Sequence, residues 1–409
     1  MPVSVERVAM IAMHTSPAAQ PATADAGGLN VVVLGVAAEL ALRGVQVDLI
    51  TRATTQPAVR ELLPGVTLHE VPAGEPGPLP KGRLPEVADE FGEEIARLAR
   101  TRNYDLLHAH YWLSGIAALP VAIELDRPLV QSFHTLGVMK NALAGEGQAP
   151  EPVQRLRSET FLATQADAVI AASSAEATVL IDDVGAAPDR TWIIPPGVDL
   201  GLFAPRPFAA HAATRLALGL EADRPIVVIA GRVQPLKGHE LAVRALAELH
   251  ALRGWAPLLV VAGDVTPGDE PFAARLRGLA AELGVATDVR FVGALHRDAL
   301  ADLFAAADLT LVPSYSETFG LVGLESAASG TPVLAYRAGG LSESVVEGVS
   351  GLLLGTREPR YWATEMALLI EDDDRRAALG ITARAHAERF TWAASAASLL
   401  GVYAGVGRP

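Results

Sequence analysis

Two acids, Glu317 and Glu325, stand eight positions apart in PSYSETFGLVGLESAASGTP (313–332), with an apolar, glycine-containing run between them. Upstream, VIAGRVQPLKGHE (228–240) places Arg232 and Lys237 after an apolar strand and before a helical pattern. Cations at that position, joined by the open amides of a helix start, suit a phosphate or diphosphate. Amides at Thr318, Phe319 and Gly320 suit the same ligand class. Glu317 at a strand end can accept hydrogen bonds from hydroxyls. Glu325 is expected two helical turns beyond Glu317, since eight residues total about 800°, close to two full turns. Both acids would then face one ligand. Glu325 lies in an apolar setting, where an unpaired carboxylate is costly and a diol partner would offset the cost. Plainer roles are available: solvated cations, a helix-start acid and a structural glutamate. The chain has neither G-x-x-x-x-G-K-[ST] nor G-x-G-x-x-G, so a P-loop and a nicotinamide site are not expected.

The amino-terminal half carries its own polar clusters. Asp25-Ala26-Gly27-Gly28-Leu29-Asn30 leads into a helical pattern, and its adjacent glycines let backbone amides approach an anion. HAHYWLSG (108–115) and SFHTLGVMKNALAGEGQAPEPVQR (132–155) each follow an apolar run. His-x-His is sometimes a metal pattern, but a strand end lacking an acid or thiolate partner argues against it. Tyr111 could simply fill space, Arg155 could be a helix-surface cation, and His134 a core residue.

These residues need a frame. Short apolar runs alternate with helical patterns along all 409 residues. RVAMIAM, VQVDLIT, YDLLHAH, RPLVQSFH, ADAVIAAS and RTWIIPP read as strands of one half; RPIVVIAGR, PLLVVAG, VRFVGA, ADLTLVPS, TPVLAYR and SGLLLG repeat the rhythm in the other. Continuous apolar runs fit parallel strands buried on both faces, and right-handed crossovers then give doubly wound α/β sheets. PPGVDLGLFAPRPF (195–208) breaks the pattern and is expected to link the domains. The expectation is two Rossmann-like domains, 1–200 and 201–390, facing across a cleft, with a helix in 391–409 returning to the first. PAGEPGPLPKGRLP (72–85) reads as a long surface loop.

Composition narrows the function class. Half the residues are hydrophobic, so a large core can form. The formal charge of −14 argues against a nucleic-acid partner. With no cysteine, disulfides and thiolate metal sites are excluded. No run is long enough to span a membrane, and the amino terminus reads as a strand rather than a signal peptide, so a cytoplasmic location is expected.

The ordered set Arg232, Lys237, Glu317-x7-Glu325 resembles the signature of the retaining family 4 glycosyltransferases, which have the GT-B architecture. The resemblance spans nearly the whole chain. It implies a nucleotide-diphosphate sugar as donor substrate, with a UDP-sugar favoured and a GDP-sugar open, and no metal or other cofactor required. By resemblance, Arg232 and Lys237 bind the donor diphosphate, Glu317 the sugar hydroxyls and Glu325 the ribose. Arg297, in GALHRDAL, matches a base-side contact. Gly27, Gly28, Thr318, Phe319 and Gly320 complete the donor set, and His134 lies beside the transferred sugar.

The first half is similar to the D-inositol-3-phosphate glycosyltransferases of mycothiol biosynthesis within that family. These transfer N-acetylglucosamine from UDP-N-acetylglucosamine to inositol phosphate. The similarity implies an acceptor phosphate held by Lys81, Tyr111, Thr135 and Arg155, with Asn30 nearby. It also implies small-molecule partners, no membrane, and a homodimer. The sequence departs from those enzymes at Ala22, Ala24 and Leu29, beside the acceptor and the sugar. The alternative is therefore an antibiotic-pathway transferase using another nucleotide sugar with an aminocyclitol or small thiol. A sugar-nucleotide epimerase shares the architecture, but the acceptor-type loops speak against it; a catalytically silent nucleotide-sugar sensor is disfavoured by the intact Arg232, Lys237, Glu317 and Glu325.

Overall fold

The computed structural model describes residues 5–22, 26–142, 150–219, 221 and 224–406. Asp25 and Ala24 of the glycine-rich entry lie outside them. The chain divides into two compact units. The first comprises Met1–Ala19, Gly28–Gly197 and Trp392–Pro409; the second comprises Gln20–Gly27 and Val198–Thr391.

The first unit is built on eight strands: β1 (Arg7–Ile11), β2 (Gln46–Arg52), β3 (Ala58–Leu63), β4 (Val66–Val71), β5 (Leu106–His110), β6 (Leu129–Ser132), β7 (Ala168–Ala171) and β8 (Thr191–Ile193). Their order is β3-β4-β2-β1-β5-β6-β7-β8, all parallel except the antiparallel β3–β4 pair. Successive side chains of a strand point to opposite faces. In β1, Ala9 and Ile11 therefore enter one apolar core while Val8 and Met10 enter the other. Both faces are covered, and each fully buried aliphatic side chain contributes about 1.5–3 kcal/mol before chain entropy is counted. The six expected strands of this half are all present. The β3–β4 hairpin is an addition to them: β3 is largely exposed and carries little apolar pattern to reveal it.

The helix Trp392–Val406 packs in this unit against the helix Gly28–Leu42. A side chain at Gly35 would collide with the Trp392 ring, whose atoms lie 2.5 Å from where a Cβ would stand. Arg43 also donates to the Ala393 carbonyl at 3.0 Å.

The second unit holds β9 (Ile226–Ala230), β10 (Leu258–Ala262), β11 (Val289–Gly293), β12 (Leu309–Val312), β13 (Val333–Tyr336) and β14 (Gly351–Leu354). The order β11-β10-β9-β12-β13-β14 is parallel throughout. These are the six runs read as strands from the sequence. Open sheets of this kind bind ligands beyond the carboxyl ends of the strands, where the strand order reverses. That point lies between β1 and β5 in the first unit and between β9 and β12 in the second. Among the described residues, no helix is long and apolar enough to cross a membrane.

Candidate functional site

In the second unit, β9 ends and Gly231, at φ 125, turns the chain into Arg232. A 3₁₀ turn, Pro235–Lys237, follows, and Gly238 starts the helix His239–Arg253. Gly238 has φ 73, and a Cβ there would stand 2.1 Å from the Pro313 carbonyl oxygen. Only glycine lets the loop after β9 lie against the loop after β12. That approach brings Lys237 Nζ to 2.6 Å from Glu317 Oε1, both partly buried. An ammonium has three protons and a carboxylate two oxygens, so each partner keeps capacity for a ligand. Arg232 is partly exposed, and its charge favours the ionised form of Asp269 against burial and the neighbouring Glu270, which raise that carboxyl.

Glu317 lies before the helix Leu321–Ala328, which opens at Gly320 with φ 95. The helical count from Glu317 to Glu325 therefore does not apply: the positive φ breaks the periodicity. The two acids take different partners. Glu325 is buried, and Arg297, first residue of the helix Arg297–Ala306, pairs with it at 3.0 Å. Burial raises the Glu325 carboxyl, and Arg297 works against that rise. Arg297 also lies over the Phe203 ring at 4.9 Å. Thr318 precedes Phe319, whose ring is buried against Phe390, and Ser344 donates to the Phe319 carbonyl at 2.7 Å. These contacts hold the loop that carries the first-turn amides of the helix. Arg357 braces it further. Its guanidinium stacks 3.4 Å from the Tyr315 ring centre and donates to the Pro313 carbonyl. No local pattern in the sequence points to Arg357 or Phe203.

In the first unit, the residues after β5 and β6 converge. Lys81 Nζ lies 4.9 Å and the Arg155 guanidinium 5.1 Å from the Tyr111 ring centre. Arg155 donates to the Thr135 carbonyl at 2.9 Å and the Thr135 hydroxyl at 3.1 Å. Lys81, Tyr111, Thr135 and Arg155, drawn from four segments, thus form one cluster. Burial lifts the Tyr111 phenol to about 12 although Arg155 works against the rise, so the hydroxyl stays a donor near neutrality.

Two acids that sequence reading missed complete this cluster. Arg155 is only 2 % exposed and pairs with Glu159 at 2.7 Å and Glu151 at 2.9 Å. Burial raises the Glu159 carboxyl against the pull of Arg155. Burial opposes ionisation of Glu151 too, but Lys140 and Arg155 outweigh it and hold that carboxyl low. The i, i+4 spacing of Arg155 with both acids on the helix Val153–Gln165 and its approach was the available signal. Arg155 is therefore no helix-surface cation.

Asn30 is buried, and its amide donates to the Ser16 carbonyl and, at 3.3 Å, to the Thr15 hydroxyl. It pins the loop after β1 to the helix beginning at Gly28. A Cβ on Gly27 would meet nothing within 4 Å, so neither steric crowding nor positive φ demands glycine there. His134 follows β6 with φ 61, and Tyr111 follows β5 with φ 77. Such backbone costs of order 1–3 kcal/mol in a non-glycine residue and persists where surroundings over-determine it. Among the described residues, no group of three His, Asp or Glu side chains could hold a metal ion.

The chain is similar to known proteins along nearly its whole length. The family model described as Glycosyltransferase Family 4 matches residues 26–202, and that described as Glycosyl transferases group 1 matches residues 212–386. The D-inositol 3-phosphate glycosyltransferase of Acidothermus cellulolyticus is 44% identical over 98% of this chain and 91% of its own length. That of Nocardia farcinica is 44% identical over 97% of this chain and 89% of its own. Among solved structures, sucrose-phosphate synthase from Thermosynechococcus elongatus superposes with a TM-score of 0.90 at 33% identity, covering 97% of this chain and 98% of that one. Anabaena HepE in complex with UDP and glucose superposes with a TM-score of 0.77 at 22% identity, covering 97% and 98%.

Proposed function

The chain belongs to the family 4 glycosyltransferases of the GT-B fold, and we propose that it transfers N-acetylglucosamine from UDP-N-acetylglucosamine to 1D-myo-inositol 3-phosphate with retention at the anomeric carbon. One observation carries the choice of acceptor. Lys81, Tyr111, Thr135 and Arg155 converge beyond the ends of β5 and β6; Lys81 and the two hydroxyls suit a phosphate, and Arg155, whose charge is shared with Glu151 and Glu159, holds Thr135 beside them. Relatives 44% identical over almost the whole chain bear the name D-inositol 3-phosphate glycosyltransferase, which supports the same acceptor. A nucleotide-sugar donor agrees with the UDP and glucose bound by the Anabaena neighbour.

In the second unit, Lys237 and Arg232 neutralise the departing diphosphate. Fixed cations act most strongly on charge that develops in the transition state, and here that charge gathers on the leaving phosphate oxygens. Lys237 can keep one proton on Glu317 Oε1 and direct the others to those oxygens. Glu317 Oε2 then accepts from sugar hydroxyls. The Arg297–Glu325 pair holds the nucleoside end, the carboxylate taking the ribose diol. The acceptor hydroxyl attacks on the face from which the diphosphate leaves, and the leaving phosphate oxygen takes its proton. No protein carboxylate nucleophile is used.

The test is a screen of UDP- and GDP-sugars against inositol phosphate with mass detection and anomeric assignment of the product. An N-acetylhexosamine adduct of retained configuration, with release of UDP, is expected. Transfer to uncharged or cationic acceptors alone, or an inverted product, would refute this reading.

A further inference from the structure

Three imidazoles run beside the acceptor cluster, His108 and His110 fully buried and His134 half-buried. His108 and His110 sit two apart on β5, so their rings share one face of the sheet and stack 4.1 Å apart. His108 is held at both nitrogens, by the Tyr403 hydroxyl at 2.6 Å and the Ser132 hydroxyl at 2.9 Å. His110 Nδ1 lies 2.9 Å from His134 Nε2. His110 Nε2 is buried with no hydrogen-bond partner among the described residues.

That last pair of facts decides a tautomer. Burial lowers both rings, His134 to about 4 and His110 well below its ordinary value, so both are neutral near pH 7. One nitrogen of the contact must donate and the other accept. If His134 Nε2–H donated, the proton of His110 would sit on its buried, partnerless Nε2. An orphaned buried N–H is the costlier choice, because it forfeits its whole hydration without return. If His110 Nδ1–H donates instead, the partnerless nitrogen is only a bare lone pair. His134 Nε2 then accepts, and its proton resides on Nδ1.

We propose that His110 is a positioning residue: its Nδ1–H fixes His134 in the Nδ1-protonated tautomer, so that His134 meets the transferred sugar as a hydrogen-bond donor and not as a base. The consequence for catalysis rests on the function proposed above; the tautomer does not. The arrangement leaves no lone pair on His134 for taking a proton, since Nε2 is engaged and Nδ1 is protonated. The His108 ring, anchored from β6 and from the helix Trp392–Val406, packs against His110 at a tilt of 33° and limits its movement on the side away from His134.

The experiment uses the full-length chain with ¹⁵N-labelled histidine. Long-range ¹H–¹⁵N correlation spectra give the protonated nitrogen of each ring, with His134 identified by signal loss in H134Q. The expected result is a proton on Nδ1 of His134 and on Nδ1 of His110. A proton on Nε2 of His134 overturns the proposal whatever the activity. In H110L, His134 should shift toward the Nε2-protonated form, and kcat with UDP-N-acetylglucosamine and inositol phosphate should fall about tenfold with little change in KM. H110N, whose amide can donate from near the Nδ1 position, should recover most of that loss. An unchanged His134 tautomer in H110L, or no recovery in a folded H110N, overturns the role of His110. Undiminished turnover in H134Q would instead reject the site reading, while the wild-type spectrum still judges the tautomer.

Discussion

Lys237 and Glu317 are 80 residues apart in the chain and 2.6 Å apart at their charged atoms. The approach depends on Gly238, whose missing side chain lets the Pro313 carbonyl in. Lys237→Ala should lower kcat by roughly 10²-fold or more, the size typical of one lost transition-state donor. Glu317→Ala should cost activity as well. The double variant should cost less than the two losses multiplied, since each single change leaves its partner with a new environment. Steady-state kinetics on the four chains checks this; independent effects would mean that the pair does not act as a unit.

The cluster around Tyr111 allows binding and stability to be tested apart. Lys81→Ala and Thr135→Val should raise KM for inositol phosphate and leave KM for the donor unchanged. Arg155→Ala should do the same and also destabilise the fold by about 3–5 kcal/mol, because Glu159 and Glu151 would lose their shared counter-ion. Denaturant melts beside the kinetics distinguish the two costs. A rise in donor KM alone would move these residues out of the acceptor site.

Arg297→Ala should weaken donor binding and leave the buried Glu325 without its 3.0 Å partner. The Glu325 carboxyl is already raised by burial, and loss of Arg297 should raise it further. Thermal stabilisation by UDP should shrink in this variant, more strongly as pH falls and Glu325 takes up a proton. Equal stabilisation by UDP in both proteins would contradict a nucleoside role for the pair.

Glu176 supplies a stability prediction away from the reaction. It sits in the first turn of the helix Ser174–Val179, accepts from the Ala172 N–H at 2.7 Å, and is pushed up to about 7 by burial. A carboxyl raised on folding favours the folded state in its protonated form. Its contribution is fully present below the ordinary glutamate range and is lost as pH rises through about 7. Glu176→Gln should therefore gain on wild type by on the order of 1–3 kcal/mol between pH 5 and pH 8. Parallel melts with the same difference at both pH values would show that Glu176 is not raised.

Much of this was legible in the residues. Continuous apolar runs marked every strand but β3 and β4, because parallel strands covered on both faces leave no other pattern. Lys237 and Glu317 stood out as charges at strand ends, and their partnership follows from two neighbouring strands finishing on one edge. The partners of Arg155 were half visible, at helical spacing on either side of it. What stayed hidden was long-range or steric. Tyr403 reaches His108 across 295 residues, and nothing local in either segment announces it. The positive φ at Gly320 interrupts the spacing between Glu317 and Glu325, so the helical count failed where a single glycine changed direction. The hydrogen bonds by which the Asn30 amide holds the loop after β1 were likewise not legible in the sequence.

The central claim is that Arg232 and Lys237 neutralise the nucleotide's diphosphate while the Tyr111 cluster receives an anionic acceptor. A crystal structure with UDP and inositol phosphate bound tests it most directly. Lys237 Nζ and the Arg232 guanidinium should lie within hydrogen-bonding distance of diphosphate oxygens, and the acceptor phosphate beside Tyr111 and Thr135. Both cations pointing into bulk solvent, with the nucleotide bound elsewhere, would contradict the account.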